Sequence, residues 1–120
     1  SRMMGFLTTH VLDTAQGVPG SNMSVTLYRI EAGERQLISQ QLTNSDGRCD
    51  GPLLQDEAFC VGIYELEFGV DAYFTQANVA QPKPAFLSNV TLRFGIAEAR
   101  EHYHVPLLVS PYSYSTYRGS

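Results

Sequence analysis

A period of two in the placement of apolar side chains is the feature that most constrains the fold of this chain. In the run 22–28, Met23, Val25 and Leu27 alternate with polar residues, and the runs 64–68 and 90–94 alternate in the same way. Successive side chains of a strand point to opposite faces, so each run predicts a strand with one buried face and one solvent-exposed face. Such short runs, repeated along the chain, favour a β-sandwich or barrel over a parallel α/β sheet.

Turn residues divide the chain into about eight strand-like runs. Glycine, proline, asparagine and serine mark turns at 16–20, 44–47 and 110–111. The segment 71–78 differs, because Asp71 is placed to cap a helix and the apolar residues after it have helical spacing. We therefore predict an all-β domain with one short helix.

The chain has 120 residues, which suits one domain with a single core. Its 8 basic and 12 acidic residues give a net charge of −4, and no run of lysine or arginine occurs. We expect no nucleic-acid partner and no anionic membrane partner, since both bind through basic patches. The apolar stretches are also far shorter than the roughly 20 residues that span a bilayer.

The first residues resemble an added segment rather than part of the domain. Ser1, Arg2 and Met3 look like a cloning remnant, and we place an N-terminal extension at 1–5 and the domain at 6–120. The N-terminus carries no apolar signal segment, so we expect a cytoplasmic protein. A peroxisomal or periplasmic location would require a targeting segment, since removed, ahead of residue 1.

Two cysteines, Cys49 and Cys60, allow one disulfide at most, and a secreted domain that depended on disulfides would carry more. We expect reduced thiols that are buried as small apolar side chains. Neither cysteine belongs to a C-x-x-C pair, so the thiols give no sign of a metal site.

Two histidines lie two residues apart in the strand-like run 101–109, so His102 and His104 share one face. Apolar residues occupy the opposite face and also follow the histidines on their own face, which predicts packing against another subunit. The spacing is equally compatible with a solvated sheet edge and with a functional site. As metal ligands the pair lacks a third fixed partner, and we predict no metal.

Two further polar residues have ordinary explanations when each is taken singly. His10 lies in a predicted strand, where an isolated histidine is usually just a polar strand residue. Arg48 follows the tight turn at 46–47, where a solvated arginine is the more common interpretation. The run 111–120 is predicted to be a strand that forms a hairpin with the histidine strand.

Five motifs taken together resemble one family. They are LTTHVLD at 7–13, GVP at 17–19, DGR at 46–48, HYHVPLL at 102–108 and YRGS at 117–120. The set resembles the 5-hydroxyisourate hydrolases, the transthyretin-related enzymes of urate breakdown. The likeness covers essentially the whole chain, and the closing tetrapeptide is a highly specific signature.

The resemblance implies a fold and an assembly. The fold is a transthyretin-like sandwich of two four-stranded sheets with one short helix, which agrees with the period of two. Members of the family are homotetramers, dimers of dimers, whose interface encloses a channel that holds the active sites. The implied reaction is hydrolysis of 5-hydroxyisourate to 2-oxo-4-hydroxy-4-carboxy-5-ureidoimidazoline, with no metal or organic cofactor.

The resemblance also implies roles for individual residues. The catalytic residues carried over from the family are His10, Arg48 and His104. The residues expected to bind the substrate are His102, Tyr117, Arg118, Gly119 and Ser120.

Opening a cyclic amide-like bond needs a positioned water, a base with a pKa near neutrality, and positive charge where the carbonyl oxygen becomes an oxyanion. We assign His104 as the base, His10 as its orienting or proton-shuttling partner, and Arg48 as the clamp on substrate and oxyanion. The two imidazole roles can be exchanged without changing this chemistry.

A transthyretin-like carrier is the alternative function, with hormone-sized aromatic ligands bound in the tetramer channel. A carrier has no need for His10, Arg48 and His104 to converge, and bulky Tyr117 is expected to narrow the channel. A third interpretation, an immunoglobulin-like adhesion module, predicts a monomer without a shared internal site.

Overall fold

The computed structural model describes residues 4–120 as short strands with one α-helix and one 3₁₀-helix. The predicted extension at 1–5 therefore lies largely outside the described residues. The strands are β1 (Phe6–Thr8), β2 (Val11–Asp13), β3 (Val18–Pro19), β4 (Ser24–Glu31), β5 (Glu34–Leu42), β6 (Leu54–Gln55), β7 (Gly62–Phe68), β8 (Val90–Ile96), β9 (His102–His104), β10 (Leu107–Val109) and β11 (Tyr114–Ser115). The α-helix α1 spans Val70–Gln76, and the 3₁₀-helix spans Asp56–Ala58.

The first sheet is antiparallel and has the order β5-β4-β7-β8. It contains the three strands predicted most clearly by alternation. Val25 pairs with Phe68, which in turn pairs with Val90, so the buried residues of the three strands lie side by side on one face of the sheet. The first of these strands begins two residues later than expected, because Asn22 has a φ of 63° and belongs to the preceding turn.

The second sheet is built on parallel pairing between segments from the two ends of the sequence. β1 pairs with β9 and β2 with β10, and the register continues unchanged from Phe6↔His102 to Val11↔Leu107. β3 and β6 lie on one side of this central pair, and β11 lies on the other. The arrangement is the expected second four-stranded sheet, with its strands interrupted along their length.

Pro106 interrupts the histidine strand, because proline has no backbone N–H to donate to the sheet. The neighbouring strand is interrupted opposite Pro106, between β1 and β2. In this break the Thr9 hydroxyl donates to the carbonyl of Val105 at 2.7 Å. The backbone bonds resume on either side, where Val105 donates to Thr8 and Leu107 donates to His10. The strand direction is preserved through the break, so alternation of the side chains holds on both sides of it.

Apolar side chains from the inner faces of the two sheets form the core. The central members, which include two residues of α1 and each have at most 1% of their surface exposed, are Leu7, Val11, Met23, Val25, Leu27, Phe59, Tyr64, Leu66, Phe68, Val70, Phe74, Leu107 and Val109. Tyr103 and Val105 join this core, with 7% and 5% exposed. Because they point inward, alternation turns His102 and His104 outward, as predicted.

The helix occupies the predicted place but starts differently. α1 is capped by Gly69 without a side-chain hydrogen bond, so the prediction that Asp71 caps the helix is wrong. Asp71 lies in the first turn, where a carboxylate also favours the helix dipole. The helix ends before Asn78, whose φ of 62° is left-handed. Within residues 4–120, no helix is long and apolar enough to cross a bilayer.

The C-terminal segment is more irregular than the single strand predicted for 111–120. The hairpin turn at 110–111 is confirmed, since β10 and β11 pair antiparallel with Leu108 opposite Ser115. Beyond β11 the chain pairs again only at Gly119, which bridges to His104.

Candidate active site

A pocket of about 440 Å³ opens on the outer face of the second sheet. Its walls come from the two ends of the sequence and from the segment 48–52. The lining residues are Thr8, Thr9, Arg48, Cys49, Gly51, Pro52, His102, His104 and Ser120. The pocket thus combines two imidazoles, a guanidinium and hydroxyl groups.

Thr8 links the two histidines. The parallel register sets Thr8 directly beside His104 on the neighbouring strand. The Thr8 Oγ1 lies 2.8 Å from Nδ1 of His104 and 2.7 Å from Nε2 of His102. These bonds leave Nε2 of His104 without a hydrogen-bond partner in the described part of the chain. That nitrogen is the one available to a molecule in the pocket.

The surroundings of His104 favour its neutral form. Burial lowers the pKa of His104 below its ordinary value, and the charge of Arg48 and the neighbouring imidazoles of His102 and His10 lower it further. Burial, followed by the charge of Arg118, also lowers the pKa of His102. Both rings are therefore neutral at pH 7, and a neutral imidazole can accept a proton.

Arg48 is brought to the pocket by the turn that precedes it. The Asn44 side-chain oxygen accepts the backbone N–H groups of Asp46 and Arg48 at 2.9 and 3.1 Å. Gly47 has a φ of 77°, and its carbonyl accepts the N–H of Val11 at 2.8 Å. The Arg48 guanidinium forms no hydrogen bond or ion pair within residues 4–120, so its N–H donors are free to meet a ligand.

His10 lies next to Arg48 through an isolated bridge between their backbones. Its Nε2 is 3.0 Å from the carbonyl oxygen of Asp46. A carbonyl only accepts hydrogen bonds, so Nε2 of His10 carries the proton. His10 stands beside the pocket and is held by the turn, rather than forming the pocket wall.

The four residues of the closing YRGS motif lie in two different places, and only Gly119 and Ser120 lie at the pocket. Gly119 and His104 exchange backbone bonds of 2.7 and 3.2 Å, and a Cβ on Gly119 would come within 3.3 Å of the His104 side chain. Ser120 follows into the pocket wall. The structure therefore brings together His102, His104, Arg48 and Ser120, with His10 and Gly119 directly behind them.

Tyr117 and Arg118 lie elsewhere in the single chain. They line a second groove of about 420 Å³ on the other side of β9, beside Tyr103. Arg118 stacks over the Tyr103 ring at 3.9 Å and donates to Glu101 at 3.0 Å and to the carbonyl of His102 at 3.2 Å. Because Gly119 pairs with His104, the two preceding side chains fall outside the pocket. Their contact with substrate stays a prediction about the assembled channel.

Five of the lining residues were not proposed for the site from the sequence, and Thr8 and Cys49 are the two with reactive or hydrogen-bonding groups next to the predicted residues. Thr8 shares the strand parity of His10, so alternation could have placed it on the same outward face. Cys49 is half-buried in the pocket wall and Cys60 is exposed, and both thiols are free. The expectation of two buried cysteines was therefore wrong. Burial raises the pKa of the Cys49 thiol, which disfavours the reactive thiolate.

Comparison with known proteins shows the family of this chain. The model of the HIUase/Transthyretin family matches residues 7–119. The chain belongs to that family. A 5-hydroxyisourate hydrolase of Ralstonia nicotianae is 62% identical, and the match covers 98% of this chain and all of the relative.

Solved structures similar to this chain include a 5-hydroxyisourate hydrolase and a transthyretin. A 5-hydroxyisourate hydrolase of Klebsiella pneumoniae has a TM-score of 0.79 and 32% identity over 98% of this chain and all of its own. Sea bream transthyretin, solved in complex with thyroxine, has a TM-score of 0.84 and 28% identity, over 94% of this chain and 93% of its own. The fold is common to both, so the function is decided by the chemistry of the pocket.

Proposed function

We propose that the protein hydrolyses 5-hydroxyisourate to 2-oxo-4-hydroxy-4-carboxy-5-ureidoimidazoline, a step of urate degradation. The observation that carries the proposal is that one pocket holds a neutral His104 and the Arg48 guanidinium, and that neither Nε2 of His104 nor the guanidinium has a partner within residues 4–120. These are the base and the positive charge that opening an amide-like ring needs. The name of the Ralstonia nicotianae relative, at 62% identity over almost the whole chain, supports the same reaction.

The reaction begins with a water molecule beside His104. Nε2 of His104 takes a proton from the water as its oxygen attacks the ring carbonyl. Negative charge develops on the carbonyl oxygen, and the Arg48 guanidinium stabilises it. The C–N bond then breaks, and the His104 imidazolium returns the proton to the leaving nitrogen. His104 and Arg48 are then in the protonation states in which they began, so the site is ready for another cycle.

The hydrogen bonds of the two histidines support giving the role of base to His104. Nε2 of His10 is committed to the Asp46 carbonyl, whereas Nε2 of His104 has no such partner in the described chain. His10 contributes by holding the 46–48 turn, and therefore Arg48, against the second sheet. The planar guanidinium suits a planar urate-like molecule, because two of its N–H groups can meet two acceptors together.

The proposal includes a homotetramer, a dimer of dimers, with the pocket facing a channel between copies. The pocket of the single chain is open to solvent, and the C-terminal segment carries exposed aromatic side chains. Tyr112, Tyr114 and Tyr117 are 62%, 45% and 60% exposed. Large exposed apolar surface of this kind is typical of an interface.

The carrier function gains no specific support from the pocket. A site for hormone-sized aromatic ligands is expected to be lined mainly by apolar side chains. Here Arg48, His102 and His104 converge on one cavity with hydroxyl groups. The pocket is therefore better suited to a polar planar substrate with several carbonyl groups.

The test is the decay of 5-hydroxyisourate generated immediately before the measurement by oxidation of urate. We expect the protein to accelerate decay well above the buffer rate. His104→Ala and Arg48→Ala should each slow it by about a hundredfold or more, because base and oxyanion contributions are typically of that size. Circular dichroism should show an intact fold in both. Decay at the buffer rate with the parent protein would exclude the reaction, and near-normal rates in both folded variants would exclude these roles.

A further inference from the structure

The Thr8 hydroxyl joins two imidazole rings that belong to the next strand. Its oxygen is within hydrogen-bond distance of Nε2 of His102 and Nδ1 of His104 at the same time. A hydroxyl has one hydrogen and two lone pairs, so it can donate to one ring nitrogen and accept from the other. The three groups therefore form a chain of hydrogen bonds in which Thr8 donates to one histidine and accepts from the other.

The direction of this chain follows from the role of His104, and so rests on the proposed function. A base at Nε2 must have its lone pair there, and a neutral imidazole then carries its proton on Nδ1. Nδ1–H of His104 donates to Thr8 Oγ1. The Thr8 hydroxyl is left to donate to Nε2 of His102, which must be unprotonated to accept it.

The neighbours of His102 favour its neutral form, which has one unprotonated ring nitrogen that can accept a hydrogen bond. Phe6 stacks on the His102 ring with centroids 4.1 Å apart and planes 12° apart, which fixes the orientation of the ring. Arg118 donates to the His102 carbonyl at 3.2 Å, and its charge together with burial lowers the pKa of the ring. The imidazole of His104, 6.1 Å away between centroids, and Glu101, which is paired with Arg118, are the other titratable neighbours on this strand.

We propose that Thr8 and His102 are positioning residues that hold His104 in the tautomer with its proton on Nδ1. Without the Thr8 hydroxyl, His104 can place its proton on either nitrogen and can rotate about its side-chain bonds. Only the form with a lone pair on Nε2 serves as base. His102 acts through Thr8. When Nε2 of His102 accepts the single hydrogen of the Thr8 hydroxyl, that hydroxyl can no longer donate to Nδ1 of His104.

The first test compares Thr8→Val with Thr8→Ser. Valine keeps the shape of threonine without the hydroxyl, and serine keeps the hydroxyl. We expect Thr8→Val to lower kcat by about tenfold or more with KM changed less than about threefold, and Thr8→Ser to restore most of the rate. Equal rates in Thr8→Val and the parent would overturn the proposal, as would a loss that serine does not restore in a folded protein.

The second test separates action through Thr8 from direct contact with substrate. Phenylalanine at 102 keeps the stack on Phe6 but cannot accept a hydrogen bond, so His102→Phe should lower kcat by about as much as Thr8→Val. The double variant should be no more than about twofold slower than either single variant, because both break the same chain. Losses that multiply would show that His102 and Thr8 act independently, and would overturn the proposal.

A third measurement does not depend on activity. The ¹⁵N chemical shifts of the imidazole nitrogens report which one carries the proton. His104 should have its proton on Nδ1 in the parent and in Thr8→Ser, and a mixture of tautomers in Thr8→Val. The same mixture in the parent would contradict the proposal. If the parent shows the Nδ1–H form but does not hydrolyse 5-hydroxyisourate, the proposed function fails while the hydrogen-bond chain stands.

Discussion

At the scale of single residues, the properties of His104 are set by its neighbours rather than by its place in the HYH motif. Alternation predicts the outward direction of His102 and His104, because Tyr103 between them is apolar. It cannot predict that Thr8 bridges the two rings. That contact depends on a parallel register between segments 94 residues apart in the sequence, and no local pattern encodes such a register.

The pH dependence of the rate is a prediction at this scale. The pKa of His104 is lowered from 6.5, so the neutral base persists below that pH. We expect kcat/KM to fall as the pH decreases, with the midpoint of the fall below pH 6.5, where the ring takes a proton. A rate profile measured at constant ionic strength checks this. A decline already complete at pH 6.5 would mean that another group titrates.

The lowered pKa of His104 also predicts how the stability of the folded chain changes with pH. Because the unfolded chain binds a proton at His104 near pH 6.5 and the folded chain only at lower pH, stability is lost as the pH falls through 6.5 toward the lowered value.

At the scale of elements, the 44–48 turn is the part that the sequence describes well. Asp46, Gly47 and Arg48 are recognisable as a tight turn followed by a cation. What the sequence does not reveal is that the turn closes onto β2, so closely that a Cβ on Gly47 would clash with the carbonyl oxygen of Val11. Likewise, Pro106 signals a break in the histidine strand, but the matching break in its neighbour depends on tertiary pairing.

Gly47→Ala tests the importance of that close approach, and Gly33→Ala is its matched control. Both glycines have a φ of 77°, but an added Cβ at Gly33 would have no atom within 4 Å. The control should lose about 1 kcal/mol of stability from backbone strain and keep its activity. Gly47→Ala should lose more stability and at least tenfold in rate, because Arg48 is displaced. Thermal unfolding and the 5-hydroxyisourate assay measure the two effects, and identical behaviour of the variants would contradict this account of the turn.

At the scale of the whole molecule, the sandwich was predictable in outline because a period of two persists through most strands. Its two sheets, their core and the single helix are all present. The irregular C-terminal segment was not predictable, because Tyr112, Tyr114 and Tyr117 suit a strand by propensity but are exposed in the single chain. We expect contacts with other copies in the proposed tetramer to determine their positions.

Assembly is the prediction that belongs to this scale. Sedimentation should give a mass four times that of the chain. Leu108→Glu, on the outer face of the second sheet, should dissociate the tetramer and lower the hydrolysis rate, because a carboxylate is costly to bury at an interface. Leu37→Glu, at a leucine 66% exposed on β5 of the first sheet, is the control and should change neither. A fully active monomer of the parent chain would contradict the shared channel.

The parallel pairing of β1 with β9 has a consequence for the order of events during synthesis. Thr8 leaves the ribosome early, while His102, His104 and Gly119 are added at the other end of the sequence. The pocket therefore cannot form until segment 102–120 has emerged, and a nascent chain that stops in front of β9 has no route to activity. Pairing between such distant segments also closes a long loop, which slows folding relative to a fold of local contacts. Two separately expressed fragments, divided in the exposed loop after α1, would have to find each other before any hydrolysis began.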